Sequence, residues 1–282
     1  MNIVNPFKFG SDLWDPSNRF ETSWLFNPWI LFAIRALIST YCFTTRFVSM
    51  AISCTTSEYG CRDARRSFSY FTILTYWGLA FYFLFAAVHT ATYALRGRPL
   101  LDSFPRPLQA LHSAYYTTAV VFPFVVTVVY WAVLFAGPWF TDRVEAWENV
   151  SQHAANSAFA LFEVLIPRTA PMPWVHIVWL LVLLGGYLGL AYVTYAAQGF
   201  YVYGFLDYEY VGSRGYVAAY CVGIAVGTII VFALVRGIVW VRRWLTEDKM
   251  GMEGRFAKRP KWSNDQEMSS YGMRDEDVSR LG

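Results

Sequence analysis

SFSYFTILTYWGLAFYFLFAAVHTATYAL, residues 67–95, runs for 29 positions between Arg66 and Arg96 without a Lys, Arg, Asp or Glu. Roughly 20 helical residues cross a hydrocarbon core of about 30 Å, so a stretch of this length and composition reads as a membrane-spanning helix. Outward from it the chain holds several more such runs. With 56% hydrophobic and 19% aromatic residues against 15% charged, it carries more apolar surface than one soluble core can hide. The expected class is therefore all-α, a polytopic bundle of transmembrane helices.

Six candidate spans emerge, near Trp29–Met50, Phe68–Leu95, Leu111–Ala136, Val150–Ile166, Val175–Ala197 and Tyr216–Trp240. The first contains Arg35. The fourth is only 17 residues long and contains His153, Asn156 and Glu163, so leaving it out gives five spans. Residues 1–27 have no basic start and no cleavage site, and read as a cytosolic leader. Residues 28–245 form the membrane domain. Residues 246–282, polar and without apolar periodicity, read as a disordered cytosolic tail.

With six spans both termini share a side, and the basic residues then sort. Lys8, Arg19, Arg96, Arg98, Arg106, Arg168 and seven between Arg242 and Lys261 make thirteen on that side, against six on the other, namely Arg46, Arg62, Arg65, Arg66, Arg143 and Arg214. The positive-inside rule makes the thirteen-residue side cytosolic. Cys54 and Cys61, and the sequon Asn149-Val-Ser151, fall on the opposite side, where disulfides and glycans form. A net charge of +3, dispersed among loops, argues against a nucleic-acid partner. Membrane lipids are the expected surroundings, and the five basic residues between Lys249 and Lys261 face either solvent or anionic lipid.

Polar groups inside hydrocarbon demand partners, so their register carries functional information. Thr72, Thr75, Leu79, Tyr82, Ala86 and His89 share one helix face. So do His153, Asn156, Ala160 and Glu163, and likewise His176, Leu183, Tyr187, Thr194 and Gln198. Depth divides these stripes into a non-cytosolic cluster of Thr72, Thr75, His153, Asn156, Thr194 and Gln198 and a cytosolic-side cluster of Arg35, His89, His112, Glu163 and His176. Arg35 and Glu163 are natural ion-pair partners, with snorkelling of Arg35 as the alternative. In the first cluster a threonine hydroxyl beside a neutral imidazole suits nucleophilic attack on an ester, with Asn156 placed to donate to the oxyanion. The structural alternative is a threonine bonded to its own helix.

Haem ligation would need two imidazoles at one level, and His153 stands alone opposite the other three. The histidines also lack a close i, i+3 or i, i+4 ligand pair, and no Walker, Rossmann or zinc pattern is present. No cofactor and no metal is expected.

Four segments, SYFTILTYWGLAFYF (69–83), FPFVVTVVYWAVLF (122–135), HAANSAFALFEVLI (153–166) and YVTYAAQGFYVYGFLD (192–207), together resemble the FAR-17a or androgen-induced-gene membrane proteins, to which rolling stone proteins are distantly similar. Their order and spacing follow that family over most of the membrane region. The resemblance implies an intramembrane threonine hydrolase of fatty acid esters of hydroxy fatty acids, acting in lipid metabolism in the endoplasmic reticulum, another endomembrane or the plasma membrane. Thr72 falls on the family's nucleophile. Asn156 occupies the family's catalytic histidine position and His153 matches its companion histidine. Either His153 acts as base one helical turn earlier, or this branch has lost hydrolysis and serves as a non-catalytic scaffold or regulator.

Overall fold

Backbone N–H and C=O groups in an apolar setting must bond within their own segment, which drives each long apolar run into a helix. In the computed structural model residues 13–56 and 60–252 are described, and among them every extended element is helical. The elements are α1 (Pro28–Thr56), α2 (Cys61–Ser67), α3 (Phe71–Arg96), α4 (Arg106–Val129), α5 (Arg143–Val150), α6 (Asn156–Leu165), α7 (His176–Gln198) and α8 (Arg214–Arg243). Three π-helical turns interrupt this pattern: Tyr130–Leu134 prolongs α4, Ser151–Ala155 joins α5 to α6, and Trp244–Lys249 prolongs α8.

The ends follow from local chemistry. Asn27 caps α1, its Oδ1 accepting from the amides of Trp29 and Ile30, with Pro28 in the first helical position. α3 and α7 stop at Gly97 and Gly199, whose φ of 74° and 75° a side chain would disfavour. Asp142 and Ser213 cap α5 and α8. A disulfide between Cys54 and Cys61 ties the end of α1 to the short α2, an element with no signal in the apolar pattern.

Five helical stretches among the described residues are long and apolar enough to cross a membrane: Pro28–Thr56, Phe71–Arg96, Arg106–Leu134, His176–Gln198 and Arg214–Lys249. The expected fourth span, Val150–Ile166, is not among these five; it falls in the second half of a continuous helical rod, α5 through α6. Its more apolar part, α6, has ten residues, Asn156, Ser157 and Glu163 among them, and is thus about 15 Å long, while α5 carries Arg143, Glu145 and Glu148. Helical structure also continues to Lys249, past the position 246 where a disordered tail was expected to begin; residues 253–282 of that tail lie outside the described residues.

α1 packs along α3, and α4 lies against α3, α6, α7 and α8. Between 39% and 44% of the most apolar stretches of α1, α3 and α4 is buried, against 17% for α7 and α8, so the first three form the core and the last two present their apolar surface outward.

The segment before α1 is packed into this bundle. Phe20, Glu21, Thr22 and Ser23 are buried. Ser23 Oγ donates to the Ile166 carbonyl (3.0 Å) and Trp24 Nε1 to the Leu165 carbonyl (2.7 Å). Arg19 makes a two-pronged bond to Glu247 (2.9 and 2.8 Å), joining the segment to the last turn of α8. Burial raises the pKa of Glu21 well above its ordinary value, raises that of Asp15, and moves Asp102 in the α3–α4 loop up to about 6. The folded state therefore holds protons that the unfolded chain releases, and the resulting stability is present at low pH and lost as pH rises through the folded values.

At the centre lies one ion pair. Arg35 of α1 donates through Nε and Nη2 to the two carboxylate oxygens of Glu163 on α6, while its Nη1 donates to the Phe20 carbonyl (2.8 Å) and to Thr90 Oγ1 (2.6 Å). Tyr82 of α3 donates to Glu163 (2.8 Å). All four side chains are buried.

Two outcomes follow for thermal melts of the purified protein in detergent. Arg35→Met alone leaves Glu163 as an uncompensated buried charge and lowers stability by about 3–5 kcal/mol, whereas Arg35→Met with Glu163→Leu recovers most of that loss. Separately, the melting temperature falls as pH rises from roughly 4 to 6, and Asp102→Asn removes part of that slope; a flat profile in wild type contradicts the assignment.

Candidate functional site

A cavity of about 250 Å³ lies between the first turn of α3, the C-terminal half of α4, α7, α8 and the loop after α7. Its wall is built from Phe71, Val125, Val129, Leu184, Tyr187 and Ile224 with other apolar residues, and Thr72 opens onto it from the second position of α3. The first turn of a helix leaves amide donors without intrahelical acceptors. Here no side chain of the N-cap residue Tyr70 takes them; the Tyr203 hydroxyl accepts from the Phe71 amide (3.1 Å) and also meets the Thr72 hydroxyl. A nucleophile-type hydroxyl thus sits at the positive end of a helix, on an apolar hollow.

His153 lies in the π-turn between α5 and α6. Its ring stacks on Tyr130, which lies in the π-turn after α4, with centroids 3.5 Å apart and planes 13° from parallel. Two such turns therefore meet face to face. His153 Nδ1 donates to the Asn149 carbonyl (2.9 Å), and because a carbonyl only accepts, the proton of the neutral ring sits on Nδ1 and the Nε2 lone pair is left for a base. Trp131 Nε1 donates to the His153 carbonyl (2.8 Å), and Tyr130 donates to Asn149 Oδ1 (2.7 Å). The Asn149 side chain also donates to the Glu145 carbonyl (3.0 Å), so the sequon asparagine is engaged within its own rod.

Asn156 is committed to helix packing. Its Oδ1 accepts from Thr127 Oγ1 (3.1 Å) and from the Ser157 amide (2.7 Å), and its Nδ2 donates to the carbonyl of Pro123 (3.3 Å), as Ser157 Oγ also does (3.1 Å). Pro123 lacks the N–H that would bond the Ala119 carbonyl, and beside this gap in the ladder of α4 the side chains of Asn156 and Ser157 donate to the carbonyl of Pro123 itself.

The three residues expected to form a site are therefore distributed. Thr72 lies on the cavity wall, His153 and Asn156 do not, and no hydrogen bond joins Thr72 to either among the described residues. Tyr130 belongs to both places, lining the cavity and stacking on His153. Of the remaining members of that cluster, Thr75 bonds to carbonyls of its own helix, Thr194 donates to Ser69 Oγ (3.2 Å), and Gln198 is exposed.

The second cluster is more nearly continuous. Arg35 and Glu163 are paired, and the rings of His89 and His112 meet edge to face at 5.1 Å beside Phe20 and Tyr82. His176 instead joins Thr117 through Nδ1 (2.6 Å). Among the described residues no group of three His, Cys, Asp or Glu side chains is arranged to hold a metal ion.

No family model, no curated protein and no solved structure matches the chain. Tyr130 and Tyr203, which line the cavity with Thr72, were not singled out in the sequence; in a chain with 19 tyrosines neither residue type nor position marks them.

If Asn156 works as described, Asn156→Ala removes one donor from the Pro123 carbonyl and one acceptor from Thr127, each of which keeps Ser157 Oγ, and destabilises the protein by about 0.5–1.5 kcal/mol in detergent melts. An unchanged melt contradicts the packing role.

Proposed function

We propose that this protein is a multi-pass membrane protein of the FAR-17a or androgen-induced-gene type that hydrolyses a lipid ester within the bilayer, Thr72 acting as nucleophile. One observation carries the reading: a threonine hydroxyl at a helix N-terminus opens onto an apolar cavity of about 250 Å³, suited to an acyl chain entering from the membrane. Thr72 Oγ1 attacks the ester carbonyl, its proton passes to His153 Nε2, and the imidazolium returns a proton to the departing alkoxide. Water then releases the fatty acid from Thr72 by the reverse sequence. Because the Tyr130 ring covers His153, proton transfer requires that ring to turn aside or a water to bridge the two groups. Tyr203, whose hydroxyl meets Thr72, is the oxyanion donor in place of Asn156, which is held on Pro123.

The same proposal takes the α5–α6 rod as a short fourth crossing, giving six spans with both termini in the cytosol of an endomembrane such as the endoplasmic reticulum. The distribution of basic residues supports it, as does the Cys54–Cys61 disulfide on the side opposite the termini. A non-catalytic scaffold is the second reading. Its support is that the hydrogen-bonding groups of Asn156 are all engaged in packing.

Membranes expressing the full chain, labelled with a fluorophosphonate probe and assayed on a branched fatty-acid ester, separate the two. Thr72→Ala and His153→Ala are expected to lose labelling and turnover while melting as wild type does. A well-expressed wild type that neither labels nor hydrolyses, or a Thr72→Ala protein that remains active, overturns the hydrolase.

A further inference from the structure

A second hollow of about 180 Å³ lies where α1, α2, α5 and the start of α3 converge, and its character is opposite to that of the Thr72 cavity. Arg46, Ser49, Ser67, Glu148, Asn149 and Gln152 contribute to its wall. Arg46 is 3% exposed, and its Nε has no hydrogen-bond partner; Nη2 makes only a long bond to Ser67 Oγ, 3.4 Å. Ser49, 4% exposed, likewise has a buried hydroxyl without a partner. Glu148 across the hollow acts on the Arg46 charge but does not reach it, and no hydrogen bond or ion pair holds its carboxylate among the described residues. One small chamber thus contains a cation and an anion that do not touch, with unused donors beside the cation. Buried guanidinium donors rarely go unpaired, and a charge-assisted bond missing at such a place points to a guest.

From this we infer that the hollow binds a zwitterionic group, its anionic end on Arg46 and Ser49 and its ammonium on Glu148. A simple anion would be repelled by Glu148 and a simple cation by Arg46; a ligand with both charges complements both walls and leaves no charge unpaired. Phospholipid headgroups bearing a phosphate and an amine have this chemistry, and so do free amino acids. The lipid source is favoured because the hollow adjoins the membrane-spanning part of the bundle, and its wall is linked to that of the acyl-sized cavity: Tyr130 on the cavity donates to Asn149 on the hollow, and the start of α3 contributes Phe71 and Thr72 to the one and Ile73 to the other.

The experiment uses the full chain in nanodiscs of mixed phosphatidylethanolamine and phosphatidylglycerol, with native mass spectrometry of the retained lipid. Wild type is expected to retain phosphatidylethanolamine over phosphatidylglycerol by about tenfold, the effect of one charge-assisted contact. Glu148→Gln, at a half-buried position whose carboxylate supports no packing bond, is expected to reverse that preference toward phosphatidylglycerol; Arg46→Gln is expected to abolish retention of both. Displacement by glycerophosphoethanolamine but not by glycine supports the headgroup as the source, and equal displacement by glycine supports a soluble zwitterion in the same site. Equal retention of the two lipids by wild type, or a Glu148→Gln protein with unaltered preference, overturns the inference and leaves the hollow to water.

Discussion

An arginine and a glutamate placed inside an apolar bundle are tolerated only if nearly every donor and acceptor finds a partner, and Arg35 and Glu163 come close to that limit. Nε and Nη2 of the guanidinium take the carboxylate, and Nη1 takes the Phe20 carbonyl and Thr90; the carboxylate in turn accepts from Tyr82. Such a pair adds little net stability over an apolar substitute, but it has few ways of being satisfied. It therefore fixes how α1, α3, α6 and the segment before α1 sit against one another. Glu163 in particular sets the rotation of α6, and Asn156, two turns back on the same helix, is buried on the same inward face.

The parts of this arrangement that rest on hydrophobic periodicity were legible in the sequence. Five apolar runs became long helices, because in such a run backbone satisfaction leaves no alternative to a helix; Phe71–Arg96 and His176–Gln198 end within three residues of their expected limits, while the first and last run on past Met50 and Trp240 to Thr56 and Lys249. The partnership of Arg35 with Glu163 was legible for a related reason: an isolated charge at depth requires an opposite charge at the same depth. The site itself was legible only in outline. Stripes of Thr, His and Asn identified inward faces, but a face does not specify a partner, and each short side chain took the nearest acceptor. Thr75 found its own helix, Thr194 found Ser69 and Asn156 found the carbonyl of a proline. Arg46, near the end of the first expected span, was legible only as a basic residue on the non-cytosolic side, since snorkelling toward water and burial in a polar hollow look identical in a sequence.

The π-turns escaped for a different reason. A π-turn differs from α-helix by one residue in one turn, and no residue type announces it. Its geometric effect is large all the same: with 3.6 residues per turn, a single extra residue turns everything on one side of it by about 100° relative to the other. Any register argument that crosses residues 151–155 on ideal helical spacing therefore misplaces His153 with respect to Thr72.

That displacement bears on the choice between an enzyme and a scaffold. A π-turn weakens the local bond ladder, and here two of them face each other, with the His153 carbonyl satisfied from across the gap by Trp131 and the His153 ring by Tyr130. Two regular helices would join α4 to α6 as firmly, without the loss of backbone bonding. The imidazole, with Nδ1 tied to the Asn149 carbonyl, keeps the Nε2 lone pair, and that is the orientation the proposed base requires. The bonds of Asn156 argue for structure and the orientation of His153 argues for chemistry. Both are satisfied if Asn156 anchors the helix from which His153 acts.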